Sequence, residues 1–264
     1  MALSDKLDGL KSIWKFDNRW QLLLSRLLFR KNGLNVYCLD EMKILIDHSA
    51  GDESGTRHVL VSPMYQQFLA KMTFPNSINV LDLGGNGGGF ALMLQHRKIP
   101  LKKVVAVEFN PYTHSRMTFN LRQNLECEFV ALNAAVCGEA KSLCLQLGRG
   151  GTSDNIYNPV NRRQGKVMMI QGITIDELYE TYFRGETIDL CKMDIEGAEH
   201  EVFAYPHHNA MRHVRYLLVE IHGNDPEKNT AILHRLNQLG FVEEKGEQVD
   251  GQDVRFFRNL IMTR

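Results

Sequence analysis

From Ile78 onward the chain alternates short apolar runs with amphipathic segments, and that alternation leaves few folds open. The runs are "INVLDL", "KVVAVEF", "CEFVALNAAV", "IDLCKMDI" and "VRYLLVEIH"; segments such as 90–97 and 113–123 between them are helically patterned. A strand that is apolar at nearly every position is buried on both faces, as in a parallel sheet covered by crossover helices. The C-terminal end reads differently. A helix over 226–239 carries Ile232, Leu236 and Leu239 on one side, with Gly240 as its C-cap. "FVEE" and "RFFRNLIMTR" then follow too closely for a crossover, so they predict an antiparallel pair at the sheet edge. The expected fold is α/β: a doubly wound, mostly parallel seven-stranded sheet with an antiparallel C-terminal edge hairpin.

The first 75 residues have a different texture, so the chain divides into an N-terminal cap (1–75) and a ligand-binding domain (76–264). Residues 5–30 predict a helix, because Trp20, Leu23, Leu24, Leu27 and Leu28 recur at the spacing of one apolar stripe. Lys11, Lys15, Arg19, Arg26 and Arg30 make it basic as well as amphipathic. Two readings stand: a helix packed as a cap on the main domain, or a face for a membrane surface, a partner or a second copy in a homo-oligomer. "LNVYCL" and "KILIDH", bracketing "DEM", predict a hairpin; "SAGDESGTRH" (49–58) has loop chemistry; 62–71 predicts a helix with Pro63 in its first turn.

Lys and Arg total 31, as do Asp and Glu, so the formal charge is zero and bulk electrostatics predicts no nucleic-acid partner. Cys38, Cys127, Cys137, Cys144 and Cys191 are odd in number and have no C-x-x-C spacing. They predict neither a zinc site nor a disulfide framework, and they fit a reducing compartment. "MALSDKLDGLKS" lacks the apolar core of a signal peptide, and no run approaches the roughly 20 apolar residues of a membrane span. The expectation is a cytoplasmic protein without a transmembrane segment.

The first apolar run opens into "VLDLGGNGGGF", a strand end followed by glycines, which marks the ligand crevice of a doubly wound sheet. A dinucleotide site needs G-x-G-x-x-G for its pyrophosphate, and no window here supplies that spacing. What remains is Asp82, Gly84, Asn86 and Gly88 in the pattern D-x-G-x-N-x-G. S-adenosylmethionine fits such a turn. Asp82 can accept from its ammonium group, directly or through water, and the glycines make room for the amino-acid tail. Glu108 ends the next strand, where a carboxylate accepts from both ribose hydroxyls. Asn110 follows it, and Asn133, ending the third strand, is a candidate adenine contact.

Taken in order, these pieces resemble the FkbM-type methyltransferases of the class I S-adenosylmethionine-dependent fold. The matching blocks are "VLDLGGNGGGF", "AVEFNP" with "FNLRQN", "LNAAVCGEA", "ITIDEL" and "IDLCKMDIEGAEHEVF". The last matches D-x-x-K-x-D-x-E-G-x-E at Asp189, Lys192, Asp194, Glu196, Gly197 and Glu199, and "LLVEIH" follows with Glu220 and His222. The resemblance runs from about Ile78 to the C-terminus. Phe109 stands where the family often has proline, and the cap matches little. An oxygen acceptor is implied by the resemblance alone.

Methyl transfer to oxygen requires a hydroxyl held in line with the C–S bond and a group that removes its proton. Glu220 and His222 share one face of the fifth strand. His222 is the candidate base because its reference pKa lies nearest neutrality, with Asp194 and Glu220 orienting it or binding ligand. Asp194, Glu196, Glu199, Glu220 and His222 could instead gather a magnesium ion that binds a vicinal diol, its ligands drawn from Asp194, Glu196 and Glu220. Glu199 and His200 are adjacent on a helix and should point apart. Loop 148–158, with Thr152 and Ser153, suits a lid or sugar-binding loop; Tyr65 closes over the cofactor or fills the core; His207 and His208 read as surface.

The expected activity is S-adenosylmethionine-dependent O-methylation of a small-molecule or saccharide hydroxyl. The alternatives are a nicotinamide-dependent oxidoreductase and a non-catalytic methyltransferase-fold binding module.

Overall fold

The computed structural model describes residues 11–28, 33–151, 156–157, 165–206, 209–244 and 254–262. Loop positions Thr152 and Ser153, the pair His207 and His208, and the ends of the predicted first helix lie outside them. That helix is not continuous. Residues 11–13 form a helical turn, 14–18 a bent connection, and helix α1 runs Arg19–Leu28. The break has a cause in strand β1 (Leu34–Leu39), whose edge the connection joins. Asp17 N–H donates to Cys38 O (2.9 Å), while the Asn18 amide donates to Val36 O (2.8 Å) and accepts from Cys38 N–H (3.0 Å). Backbone tied to a strand edge cannot also continue an i→i−4 ladder.

Helix α1 packs on the core through Leu22 and the half-buried Leu23. Its buried residue is Leu22, whereas Trp20, Leu24, Leu27 and Leu28 face solvent. β1 pairs with β2 (Met42–Asp47) in the expected hairpin, turning at Asp40 with φ +49°. The outer edge of β2 is satisfied by side-chain amides: Asn120 bridges Leu45 N–H and O, and Asn124 bridges Lys43 N–H and O.

Segment 49–58 is not the expected loop. It winds into a π-helical turn, Glu53–His58, that buries Thr56 and Arg57. Its anchor is Asp52, fully buried against Arg116 in a bidentate pair of 2.6 and 2.8 Å. The helix expected over 62–71 shrinks to Gln66–Leu69. Ser62 is extended at ψ 146°, as a residue before proline must be.

The sheet domain follows in order. β3 (Ile78–Leu83) leads into helix α2 (Gly89–His96), then β4 (Leu101–Val107), helix α3 (Pro111–Asn124) and β5 (Glu128–Leu132). After β6 (Ala135–Val136), β7 (Ser142–Leu147) and β8 (Lys166–Ile173) come helix α4 (Ile175–Tyr182), β9 (Ile188–Met193) and helix α5 (Glu199–Ala204). β10 (Val214–Glu220), helix α6 (Pro226–Gln238), β11 (Phe241–Glu244) and β12 (Val254–Asn259) complete the chain. The seven-stranded sheet has the order β11-β12-β10-β9-β3-β4-β5. β10, β9, β3, β4 and β5 are parallel, and β12 and β11 add the antiparallel edge hairpin. This is the sheet the apolar runs predict.

Burial explains those runs. Every residue of β3 and of β9 is buried. Along the central strands Val80, Val104, Leu190 and Leu218 face one core while Leu81, Val105, Cys191 and Leu217 face the other. The first core also takes in Phe16, Tyr37, Ile44, Tyr65 and Phe90, so cap residues fill the same interior as α2. "CEFVALNAAV" is two strands rather than one: β5 belongs to the main sheet, and β6 joins β8 and β7 in a separate three-stranded sheet.

Candidate active site

The parallel register brings four chain segments to one edge. Leu83 pairs with Val107 and with Met193, and Met193 pairs with Val219. The next residues, Gly84, Glu108, Asp194 and Glu220, therefore stand side by side at the carboxyl ends of β3, β4, β9 and β10. Strand order reverses between β3 and β9, and crevices of doubly wound sheets form where such a reversal splays the connections apart. A pocket of about 420 Å³ opens here, lined by all four.

One half of the pocket is the glycine turn. Gly84 has φ +76°, and a Cβ there would lie 1.8 Å from Asp194 O, so no side chain is admissible. Gly88, at φ +88°, sits at the N-terminus of α2 and packs on Leu121, away from the pocket lining. Asn86 takes φ +47°, which asparagine tolerates, and its backbone N–H donates to Glu108 Oε2 (3.1 Å). The other oxygen, Oε1, accepts Asn110 N–H (2.8 Å). Both backbone donors fix the plane of this carboxylate at the pocket wall.

Besides Gly88, three more of the expected cofactor contacts lie outside the pocket lining. Asp82 is fully buried and stands behind the pocket wall, its oxygens without a hydrogen bond and Lys192 Nζ 3.6 Å away. Burial pushes its carboxyl above the usual range against the pull of Lys192. Lys192 donates to Gly84 O (2.7 Å) and pairs with Asp194 (3.3 Å), so Asp82 reaches the turn through this lysine. Asn110 caps α3, accepting from Tyr112 N–H, and its amide donates to Gly148 O. Asn133 donates to the carbonyls of Glu108 (2.9 Å) and Phe109 (2.8 Å), and the apolar Phe109, Ala134, Ala135 and Val136 line the pocket beside it.

The cap supplies a wall that sequence reasoning missed. Ser54, Gly55, Val59, Met64 and Tyr65 line the pocket. Thr56 Oγ1 donates to Asn86 Oδ1 (3.0 Å) and accepts from Gly87 N–H (3.0 Å), which seats the π-helical turn on the glycine turn. Both readings of Tyr65 meet here: it is buried edge-to-face against Phe90 at 5.0 Å, yet forms part of the lining.

The other half is a carboxylate cluster around His222. Its Nδ1 donates to Glu199 Oε1 (3.1 Å), and its Nε2 faces Glu196 (3.5 Å), Asp194 (3.8 Å) and Glu220 (3.8 Å). Glu199 is itself held as an acceptor by the N–H groups of Ile195 and Gly197. His200, the neighbour of Glu199, meets the backbone of His222 instead, its Nε2 2.6 Å from the carbonyl oxygen. Burial alone would lower the imidazole pKa; the hydrogen bond and charge of Glu199, with Glu196 and Asp194, outweigh it and raise His222 to about 9. The surrounding carboxylates thus favour the imidazolium form of the ring. Burial and then Asp194, Glu220 and Glu199 push Glu196 up to about 7 against the pull of His222. Glu220 is raised by burial and by Asp194. Glu196 also has φ +53°, a left-handed conformation that costs about 1 kcal/mol or more in a non-glycine residue.

The donor set fits a magnesium ion poorly. Asp194, Glu220 and His222 bring ligand atoms within 4.8 Å of one another, but magnesium takes oxygen ligands. Here a ring nitrogen occupies the centre, and the imidazolium already balances charge among the acids.

Strand order, the reversal between β3 and β9, and the glycine turn with an acid one strand over define a class I methyltransferase fold. The model of the methyltransferase FkbM domain matches residues 82–248, and the chain belongs to that family. Among solved structures it resembles methyltransferase FkbM from Methylobacillus flagellatus at 15% identity and TM-score 0.48, over 72% of this chain and 45% of that one. The chain thus spans under half the length of that protein. It also resembles Aeropyrum pernix fibrillarin in complex with natively bound S-adenosyl-L-methionine (14%, TM-score 0.44, 85% and 94% covered). A third likeness is the M. jannaschii tRNA m1G37 methyltransferase (12%, TM-score 0.43, 86% and 57% covered). No curated protein matches the chain.

Proposed function

We propose that the protein transfers a methyl group from S-adenosylmethionine to a hydroxyl oxygen of a small-molecule or saccharide acceptor. One observation carries the reading: a single pocket joins a carboxylate suited to a ribose diol, Glu108, to three proton-accepting carboxyl groups, Asp194, Glu196 and Glu220, gathered around His222. The bound cofactor supplies an electrophilic methyl carbon. Glu108 is oriented by two backbone donors toward vicinal hydroxyls, the Gly84 carbonyl is fixed by Lys192, and apolar Phe109, Ala134 and Val136 suit the flat face of a base.

Within the cluster the roles divide by charge. His222, protonated near neutral pH, holds the acids at the pocket wall. Glu196, at about 7, is the acid poised to receive the acceptor's proton, with Asp194 and Glu220 beside it accepting from the acceptor's remaining hydroxyls. Polyol and sugar acceptors present several hydroxyl donors, which suits a wall rich in acceptors. The five free cysteines support a reducing, cytoplasmic setting. Among the described residues no helix is long and apolar enough to cross a membrane.

Family membership sets the nicotinamide reading aside. Calorimetric titration with S-adenosylhomocysteine and with NAD tests the cofactor: heat with NAD alone would overturn the proposal. Incubation with labelled methyl donor and a cell extract, followed by mass spectrometry, identifies the acceptor. Label on nitrogen or carbon rather than oxygen would refute the hydroxyl assignment.

A further inference from the structure

We infer that the N-terminal helix docks the protein on an anionic lipid surface through an outward-facing apolar stripe. An ordinary surface helix packs by its apolar side, whereas α1 turns most of its large apolar residues outward. Its inward face sets Asn18, Ser25 and Arg26 beside Leu22 and the half-buried Leu23, so only two of its leucines reach the core. Asn18 bonds the backbone of Val36 and Cys38, Ser25 donates to Asn35 (2.7 Å), and Arg26 donates to His48 (2.9 Å) and pairs with Glu53. The opposite face sets Trp20, Leu24, Leu27 and Leu28 at i, i+4, i+7 and i+8, and these are 65, 54, 64 and 61% exposed. Trp14, 53% exposed, lies edge-to-face with Trp20 at 5.1 Å, and the Arg19 guanidinium sits 5.8 Å above its ring.

Charge names the occupant. Residues 11–31 contain six cations (Lys11, Lys15, Arg19, Arg26, Arg30 and Lys31) and one acid, Asp17, in a chain whose net charge is zero. Glu53 pairs with Arg26, and the segment's other five cations still outnumber Asp17. Protein interfaces are depleted in lysine, whereas an anionic bilayer gains from each nearby cation while tryptophan settles at headgroup level and leucine below it. An outward face of tryptophan and leucine on a segment of net positive charge therefore fits a lipid surface better than a second protein.

The chain has two tryptophans, and both lie in this patch, so intrinsic fluorescence reads it directly. The full-length protein is mixed with vesicles of phosphatidylcholine alone or with phosphatidylserine added, at low and high salt. The expected result is a blue shift and cosedimentation with the anionic vesicles, both reduced at high salt. Leu24→Glu with Leu27→Glu lowers apparent vesicle affinity about tenfold or more, each leucine contributing on the order of a decade when buried. Val167→Glu, at an exposed apolar site on β8, leaves binding and the thermal melt unchanged. Absence of a shift with anionic vesicles would overturn the inference, as would equal loss in Val167→Glu. So would a dimer in size-exclusion chromatography that the double leucine variant dissolves, because the stripe would then serve a second copy.

Discussion

Glu199 and His222 set the charge of the whole cluster: a fully buried carboxylate oxygen lies 3.1 Å from the ring Nδ1, on the side of the imidazole opposite the other three acids. Glu199→Gln removes that charge and should bring the His222 titration down from about 9 toward the ordinary 6.5, followed by NMR of the ring carbon protons. A folded-state pKa above the unfolded one stabilises below about 6.5 and loses that contribution as pH rises through about 9. The stability deficit of the variant is therefore largest in acid and shrinks in alkali. A titration unmoved by the substitution would show that another group sets the imidazolium.

Activity should rise with pH through about 7 as Glu196 ionises, and a pH profile of kcat/KM measures it. Glu196→Gln should cut turnover by roughly a hundredfold or more, the ordinary contribution of a general base, and remove that limb. For stability the sign is opposite to that of His222. A carboxyl raised to about 7 costs nothing below its unfolded value of 4.5 and costs most above 7. Glu196→Gln should then melt higher than the parent at alkaline pH.

Replacing His222 with Ala leaves the Glu108 half of the pocket untouched. Turnover should collapse while S-adenosylhomocysteine affinity stays within about twofold, well under the 1.4 kcal/mol that a decade represents. Undiminished turnover would remove the imidazolium from the mechanism.

Glu108→Gln keeps shape but turns one acceptor oxygen into a donor that opposes a ligand hydroxyl. Affinity for S-adenosylhomocysteine should fall about tenfold or more, consistent with roughly 1.5–3 kcal/mol for hydrogen bonds to a charged group. Calorimetry reads this directly, and a circular dichroism melt separates it from damage to the Asn86 turn.

Asp52→Asn breaks a bidentate pair in which both residues are buried, leaving the Arg116 cation without its counter-charge. The loss should be about 3 kcal/mol, which lowers the melting temperature by several degrees in a chain of this size. Because Asp52 anchors the π-helical turn on the pocket, cofactor affinity should fall with it.

The main sheet was legible because its strands are buried on both faces, so "INVLDL" and "IDLCKM" need no alternation. The edge hairpin followed from chain length alone. The glycine turn and its four-strand edge followed from spacing, since register carries Gly84, Glu108, Asp194 and Glu220 to one level. The strand β7 escaped, although "SLCLQL" alternates as a half-buried strand should. Segment 49–58 offered no such signal. Its glycine, serine and acid content is loop chemistry, and what buries it is Arg116, 64 positions away. The charge of His222 was hidden for another reason: Asp194, Glu196 and Glu199 stand together after one strand and His222 after the next, and spacing does not tell how the ring meets them. The polar contacts on the inner face of α1 depend on Asn35 and His48, which the helical pattern does not contain.

Thr56 seated on Asn86 and Gly87 makes the leading third of the polypeptide part of the binding chamber. Deleting it would strip hydrocarbon from one side of the sheet and open the chamber to water. Grafting it between relatives would exchange a section of the vessel in which the reaction occurs, so acceptor choice and fold integrity should change together.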